Sequence, residues 1–327
     1  MASIRRHGNR WQVRVRRHGY QDQTKSFQSQ HEAEKWARSI ESELDKGQFV
    51  NTNEAQRITL SEVIGRYLSE VTPTMKGAAD DTIRLKAIMR KSIARWSMAN
   101  LSAARIAAYR DERLKEVGPG TVIRELAYLS AIINHARREW GINVPNPVQM
   151  VRKPSSPPAR ARVLTDEEVS KLMLALEPSG RRSHWTKPAV QLALSTAMRR
   201  GELLSLRWGH VDLQRRTAFL SDTKNGDSRT VPLSSGAVQV LTTLPRHISG
   251  FVIPVKAFTL DAAFKKGLVR AGLEDVCFHD LRRTAITWMA EKLPNVIELA
   301  AVSGHKSLMV LKRYYRPTAE QLALKLG

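Results

Sequence analysis

The spacing of hydrophobic positions changes along the chain, and each change marks a new element. Near the start it alternates: Trp11, Val13 and Val15 fall on one side, and Gln12, Arg14 and Arg16 on the other. A period of two predicts a half-buried strand, here with a basic outer face. Gly8-Asn9 and His18-Gly19 supply turns around it, 24–27 predicts another short strand, and Ser29 is placed to cap a helix. In that helix Ala33, Trp36, Ala37, Ile40 and Leu44 form an apolar stripe suited to lying on a small sheet. Residues 1–50 read as one module. The polar stretch 48–57 predicts a linker.

From 58 to about 150 the period is helical, with helices expected over 59–68, 80–96, 103–117 and 121–140, the last two parted by Gly118-Pro119-Gly120. This is a helical bundle whose surface carries many cations, among them Arg84, Arg90 and Arg124. A second linker, Lys153-Pro154-Ser155-Ser156-Pro157-Pro158-Ala159-Arg160, has prolines that remove backbone donors and favour an extended path. It is the clearest boundary in the chain. Residues 160–327 return to helical spacing, opened by a capping pattern at Thr165-Asp166-Glu167-Glu168. The exception is 212–233, which predicts a small antiparallel sheet with strands at 217–220 and 229–233 joined by an Asn-Gly turn. The fold class is therefore multidomain and mainly α: a small β-sheet-plus-helix module, a helical bundle, and a mixed, mostly α domain with a small antiparallel sheet. The segment 321–326 predicts a short apolar helix at the end.

Charge adds a partner to this outline. Against 31 Asp and Glu stand 53 Lys and Arg, a formal net charge of +22, which points to a polyanion such as nucleic acid. There is no apolar run of about 20 residues and no targeting or lipidation pattern, so a membrane role is not expected and a cytoplasmic location is. The single cysteine, Cys277, excludes an intrachain disulfide and a cysteine-built zinc site, and the nine histidines lack a tight ligand spacing. No metal and no cofactor is expected.

Candidate chemistry gathers in the last 130 residues. Arg199 and Glu202 in Met198-Arg199-Arg200-Gly201-Glu202 sit one helical turn apart; alone they read as a surface ion pair, yet the surrounding leucines predict that Arg199 is partly buried and needs an anion. Lys224 sits in the Asn-Gly turn, either simply solvated or reaching from the turn as a proton donor. His279 and Arg282 share the start of a helix, where free N–H groups and the helix dipole favour an anion. His305, in Ser303-Gly304-His305, is followed nine positions later by Tyr314 among basic residues. Each pattern has an ordinary structural explanation.

Their order is more informative: Arg, Lys, His-x-x-Arg, His, Tyr. This set resembles the tyrosine recombinase, or phage integrase, family across the C-terminal half. The resemblance makes Arg199, Lys224, His279, Arg282 and His305 the activating residues and Tyr314 the nucleophile, with Glu202 holding Arg199 in place. Three departures stand out: Ala197 where the family usually has Gly, Ser303 where it often has Leu, and Tyr315-Arg316 where it often has Ala-His. Tyr315 is thus a second candidate phenol, although the nine-residue offset from His305 favours Tyr314.

What the resemblance implies is a site-specific recombinase, free of metal and ATP, that cleaves and rejoins DNA through a 3′-phosphotyrosyl intermediate to integrate or excise a phage or mobile element. It implies an arm-type DNA-binding module at 1–50 with Arg14 and Arg16 outward, a core-binding domain at 58–150 and a catalytic domain at 160–327. The expected partners are double-stranded DNA, further copies in a tetramer, a DNA-bending host factor and an excisionase, and the expected place is the nucleoid of a bacterial cell. Xer-like or topoisomerase IB-like strand resolution is the alternative task for the same chemistry.

Overall fold

A computed structural model describes residues 2–18, 20, 22–45, 53–180, 183–221, 228–314 and 319–326. The chain divides into two compact units, Met1–Pro158 and Ala159–Gly327, parted within the proline-rich stretch. No helix among the described residues is long and apolar enough to cross a membrane.

The first unit begins with an antiparallel sheet of β1 (Ala2–His7), β2 (Arg10–Val15) and β3 (Gln23–Phe27), in that order. The predicted alternation holds: Val13 and Val15 are buried with Ala33, Ala37 and Leu44 of helix α1 (Gln30–Asp45), while Arg14 and Arg16 are exposed. Ser29 caps α1 as expected, its hydroxyl accepting from the Glu32 N–H at 3.2 Å.

A second, separate hydrophobic cluster is built by α2 (Asn53–Arg57), α3 (Leu60–Glu70), α4 (Ala78–Met89), α5 (Ala103–Glu116) and α6 (Pro119–Glu139). Three boundaries differ from the sequence reading. Residues 53–57 are helical rather than linker, because Ala55 is drawn into the cluster. The helix expected over 80–96 ends at Met89, because the chain must turn back for Leu60 N–H to reach the Trp96 carbonyl and Met98 N–H to reach that of Ile58. The Gly-Pro-Gly break is shorter than expected: Gly118 precedes the helix and Pro119 occupies its first position, where its missing N–H costs nothing.

In the second unit α7 (Asp166–Ala175), α8 (Thr186–Thr196), α10 (Ser235–Thr243), α11 (Ala257–Ala271) and α12 (Phe278–Lys292) enclose the main core, with the short α9 (Arg200–Ser205) following α8. The Thr165–Glu168 capping box forms as predicted. The small sheet runs β4 (Val211–Asp212), β5 (Thr217–Leu220), β6 (Arg229–Pro232), adding one short strand to the expected pair. Beyond α12 come α13 (Val296–Ser303), α14 (Leu308–Leu311) and α15 (Ala319–Leu326), the last longer than the predicted 321–326. Leu299 and Leu311 join Ala197, Ala285, Ile286 and Ala290 in a smaller cluster that supports Tyr314.

Candidate active site

The site grows from the junction of α8 and α9. Helix α8 ends on Ala197, a buried residue in the left-handed conformation at φ 53°. That reversal releases the Ala197 carbonyl from the helix and starts α9 at once, so Arg199 stands at the N-cap of a new helix and Glu202 one turn inside it. The Glu202 carboxylate accepts from the Arg199 main-chain N–H at 2.8 Å and from its guanidinium at 2.7 Å. The expected pairing is present and the expected partial burial of Arg199 is too, with its side chain 23% exposed.

A third member was not foreseen. Arg229, the first residue of β6, donates from both terminal nitrogens to the same carboxylate, each at 2.9 Å. Burial opposes the charge on Glu202, but the Arg229 and Arg199 hydrogen bonds outweigh it and hold the carboxyl down to about 2. One carboxylate thus orders two guanidiniums. The signal was in the strand: Arg229 shares its inward face with Val231, and a charge at an inward strand position calls for a partner.

The same guanidinium lies against Gly304, which ends α13 at φ 67°. A Cβ at 304 would stand 2.6 Å from the Arg229 carbon, and the left-handed backbone disfavours any side chain there. Gly304→Ala should therefore cost at least about 2 kcal/mol in urea unfolding of the full chain. A loss below about 0.5 kcal/mol would show that the turn adapts.

Arg282 ties the pieces together. Only 3% exposed, it donates to the Ala197 carbonyl at 2.5 Å and to the Ser303 carbonyl at 2.6 Å. Burial, then the neighbouring Arg199 charge, brings its guanidinium down to about 10. Arg199 reaches the same turn through the Gly304 carbonyl at 3.4 Å. A cleft of about 680 Å³ opens beside these groups, lined by Arg199, Arg200, Lys265, Cys277, His279 and Arg282 among others.

The start of α12 differs from expectation. The carboxylate of Asp280, fully buried, accepts from the Cys277 N–H at 2.8 Å and is clasped by Arg160 at 2.8–3.0 Å. The protein's own carboxylate occupies that end of the helix, so the anion-attracting power rests with the side chains. His279 sits one residue before Asp280; loss of water around it, then the charges of Arg282 and Arg283, lower its pKa. Arg160, the last residue of the predicted linker, is thereby fastened to the helix that carries His279 and Arg282.

His305 and Tyr314 close the set. Their ring centroids are 6.2 Å apart, tilted by 45°. His305 is held neutral, its pKa brought down to about 4 by burial, then by Arg282, Arg199, Arg229 and His279. Tyr314 is half-buried, its N–H bonded to the Leu311 carbonyl at 2.8 Å and its ring packed on the cluster around Ala285 and Leu299. The structure brings Arg199, Glu202, His279, Arg282, His305 and Tyr314 into one neighbourhood. Lys224, its turn, and Tyr315 lie outside the described residues.

The candidate DNA-contacting residues of the first unit are less uniform. Arg14 and Arg16 both bind Asp22, at 2.6 and 3.1 Å. Arg84 pairs with Asp81 at 3.2 Å and lies near Asp80. Arg90 and Arg124 are exposed, with no ion pair among the described residues.

Residues 162–321 match the phage integrase family and residues 56–154 its N-terminal domain. A Haemophilus influenzae chain assigned as an integrase/recombinase is 38% identical over the whole of this chain and 91% of its own. The shufflon-specific DNA recombinase of Escherichia coli is 40% identical over 83% of this chain and 72% of its own. Among solved structures, a lambda integrase dimer bound to a COC′ core site is similar in fold, with a TM-score of 0.67 and 22% identity, covering 96% of this chain and 94% of that one. The chain belongs to the phage integrase family and is a site-specific tyrosine recombinase.

Proposed function

We propose that Tyr314 is the nucleophile of this recombinase and that Arg199, Lys224, His279, Arg282 and His305 activate the phosphate it attacks. The observation that carries the assignment is the turn Ser303-Gly304-His305, whose two carbonyls are held by Arg282 and Arg199 while its imidazole faces the Tyr314 ring. A phosphate set over this turn would meet two forked guanidiniums, suited to the charge that spreads over its non-bridging oxygens during in-line displacement. A phenoxide leaves more readily than a deoxyribose alkoxide, so a 3′-phosphotyrosyl bond keeps the energy needed to reseal the strand. His279 assists proton movement near the tyrosine, Lys224 protonates the departing 5′-oxygen, and Glu202 positions Arg199. This chemistry calls for neither a metal ion nor ATP.

The three segments have separate tasks in this reading. Residues 58–150 and 160–327 hold the core site on double-stranded DNA, with Arg84, Arg90 and Arg124 as candidate contacts in the former. Residues 1–50 form the arm-type module, with Arg14 and Arg16 on its outer face. Integration or excision of a phage or mobile element by a tetramer follows, with a bending factor and an excisionase as accessory partners in the bacterial nucleoid. The presence of the sheet module supports this over Xer-like or topoisomerase IB-like resolution. A lambda integrase tetramer bound to a Holliday junction is similar in fold, which agrees with a four-protomer assembly.

The test is to trap the intermediate. Purified protein incubated with a nicked DNA site, in the presence of EDTA and without nucleotide, should give a protein–DNA adduct that resists detergent and is released by protease. An adduct formed only after a divalent ion is restored would overturn the metal-free part; none on any cognate site would overturn the whole.

A further inference from the structure

The Ser303 hydroxyl has one proton and two neighbours. Its oxygen lies 2.6 Å from the Leu299 carbonyl and 2.8 Å from Nδ1 of His305. The carbonyl can only accept, so at 2.6 Å the hydroxyl proton must lie between it and the serine oxygen; otherwise two oxygens with lone pairs would face each other at contact distance. The hydroxyl then has only acceptor capacity left for His305, and Nδ1 must be the nitrogen that carries hydrogen. Ser303 is fully buried, and Arg282 fixes its main chain through the carbonyl.

We infer that Ser303 is a positioning residue that locks His305 in its Nδ1–H tautomer, so that Nε2 enters the site as a proton acceptor and receives the proton that Tyr314 loses. This rests on the proposed nucleophile and reverses the more obvious role of His305 as a standing donor to the phosphate. Burial and the surrounding arginines favour the neutral ring in the free enzyme, which leaves the Nε2 lone pair available; the phosphate of bound DNA offsets those arginine charges and restores the basicity that Nε2 needs to take the proton. In the cleavage step the Tyr314 O–H bond gives its proton to Nε2 while the phenolic oxygen bonds to phosphorus. The bond from phosphorus to the 5′-oxygen breaks, and that oxygen takes a proton from the acid assigned above. The imidazolium so formed becomes a donor to the phosphate only after the transfer, when negative charge has built up there. On rejoining it returns the proton to the phenol. Position 303 is one of the three where this chain departs from the family pattern, so the device is not implied by the resemblance.

The experiment is ¹⁵N NMR of the full-length protein labelled at histidine, at neutral pH, with His305 assigned by its absence from the His305→Gln spectrum. The expected result is a pyrrole-type Nδ1 and a pyridine-type Nε2 in the parent and in Ser303→Thr, with the opposite tautomer dominant in Ser303→Ala. Single-turnover cleavage of the nicked site should fall at least about tenfold in Ser303→Ala, part of the ~10²–10⁴ that a positioned base supplies. It should return in Ser303→Thr, with DNA affinity unchanged in both. A parent spectrum with hydrogen on Nε2, or a Ser303→Ala variant that keeps the Nδ1–H form, overturns the inference. Neither reading depends on cleavage, so a failure of the nucleophile assignment, seen as an adduct that survives Tyr314→Phe, remains distinguishable.

Discussion

Tyr314→Phe should form no covalent adduct with a nicked site, its cleavage rate falling below about 10⁻⁴ of the parent, the scale on which enzymes lose activity with their nucleophile. Binding should survive. The ring packs on the cluster that contains Leu311, Ala285 and Leu299, and phenylalanine keeps that packing while removing only the hydroxyl. Gel shifts at constant salt and denaturing gels of the same reactions separate the two properties. Tyr315→Phe provides the counter-test. An adduct that persists in Tyr314→Phe and disappears in Tyr315→Phe would move the nucleophile by one residue.

Glu202→Gln should be the most destabilising single change in the site. The carboxylate is 4% exposed and serves two guanidiniums, so its replacement by an amide leaves both short of an acceptor and places amide hydrogens against cations. A folded-state value of about 2 against an ordinary 4.5 corresponds to about 3 kcal/mol. The group's pKa is lowered by folding, so its contribution is complete above pH 4.5 and is lost as pH falls toward 2. Calorimetry at neutral pH should find the variant's melting temperature lower by about 10 °C. The acid limb of the variant should be flatter between pH 4.5 and 2. Equal slopes for variant and parent would mean that Glu202 does not hold the arginines in solution.

Much of this architecture is legible in the amino-acid order, where local chemistry decides the outcome. The alternation of Trp11, Val13 and Val15 and the caps at Ser29 and Thr165 act within a few residues, and each is found where expected. The long-range features are not legible in the same way. The end of α4 at Met89 answers to a strand-like contact with residues 58–60, thirty positions earlier. Arg229 meets Glu202 across 27 positions, and Arg160 meets Asp280 across 120. The candidate site residues could be proposed because their order along the chain matches a known pattern. Their convergence on one turn could not be, since it depends on the main-chain carbonyls of Ala197, Ser303 and Gly304, and carbonyls leave no mark in a sequence.

Ala197 shows what that convergence demands. Its left-handed backbone is disfavoured by about 1–2 kcal/mol for a residue with a Cβ, and glycine would adopt it freely. The methyl group, however, is completely enclosed by the cluster that also seats Tyr314. The two effects are of similar size and opposite sign. A library randomised at this codon should therefore recover alanine and glycine in comparable numbers and no larger residue. Recombinases engineered for new DNA targets could exchange the two freely there, using the exchange to adjust how firmly the first arginine's helix is set.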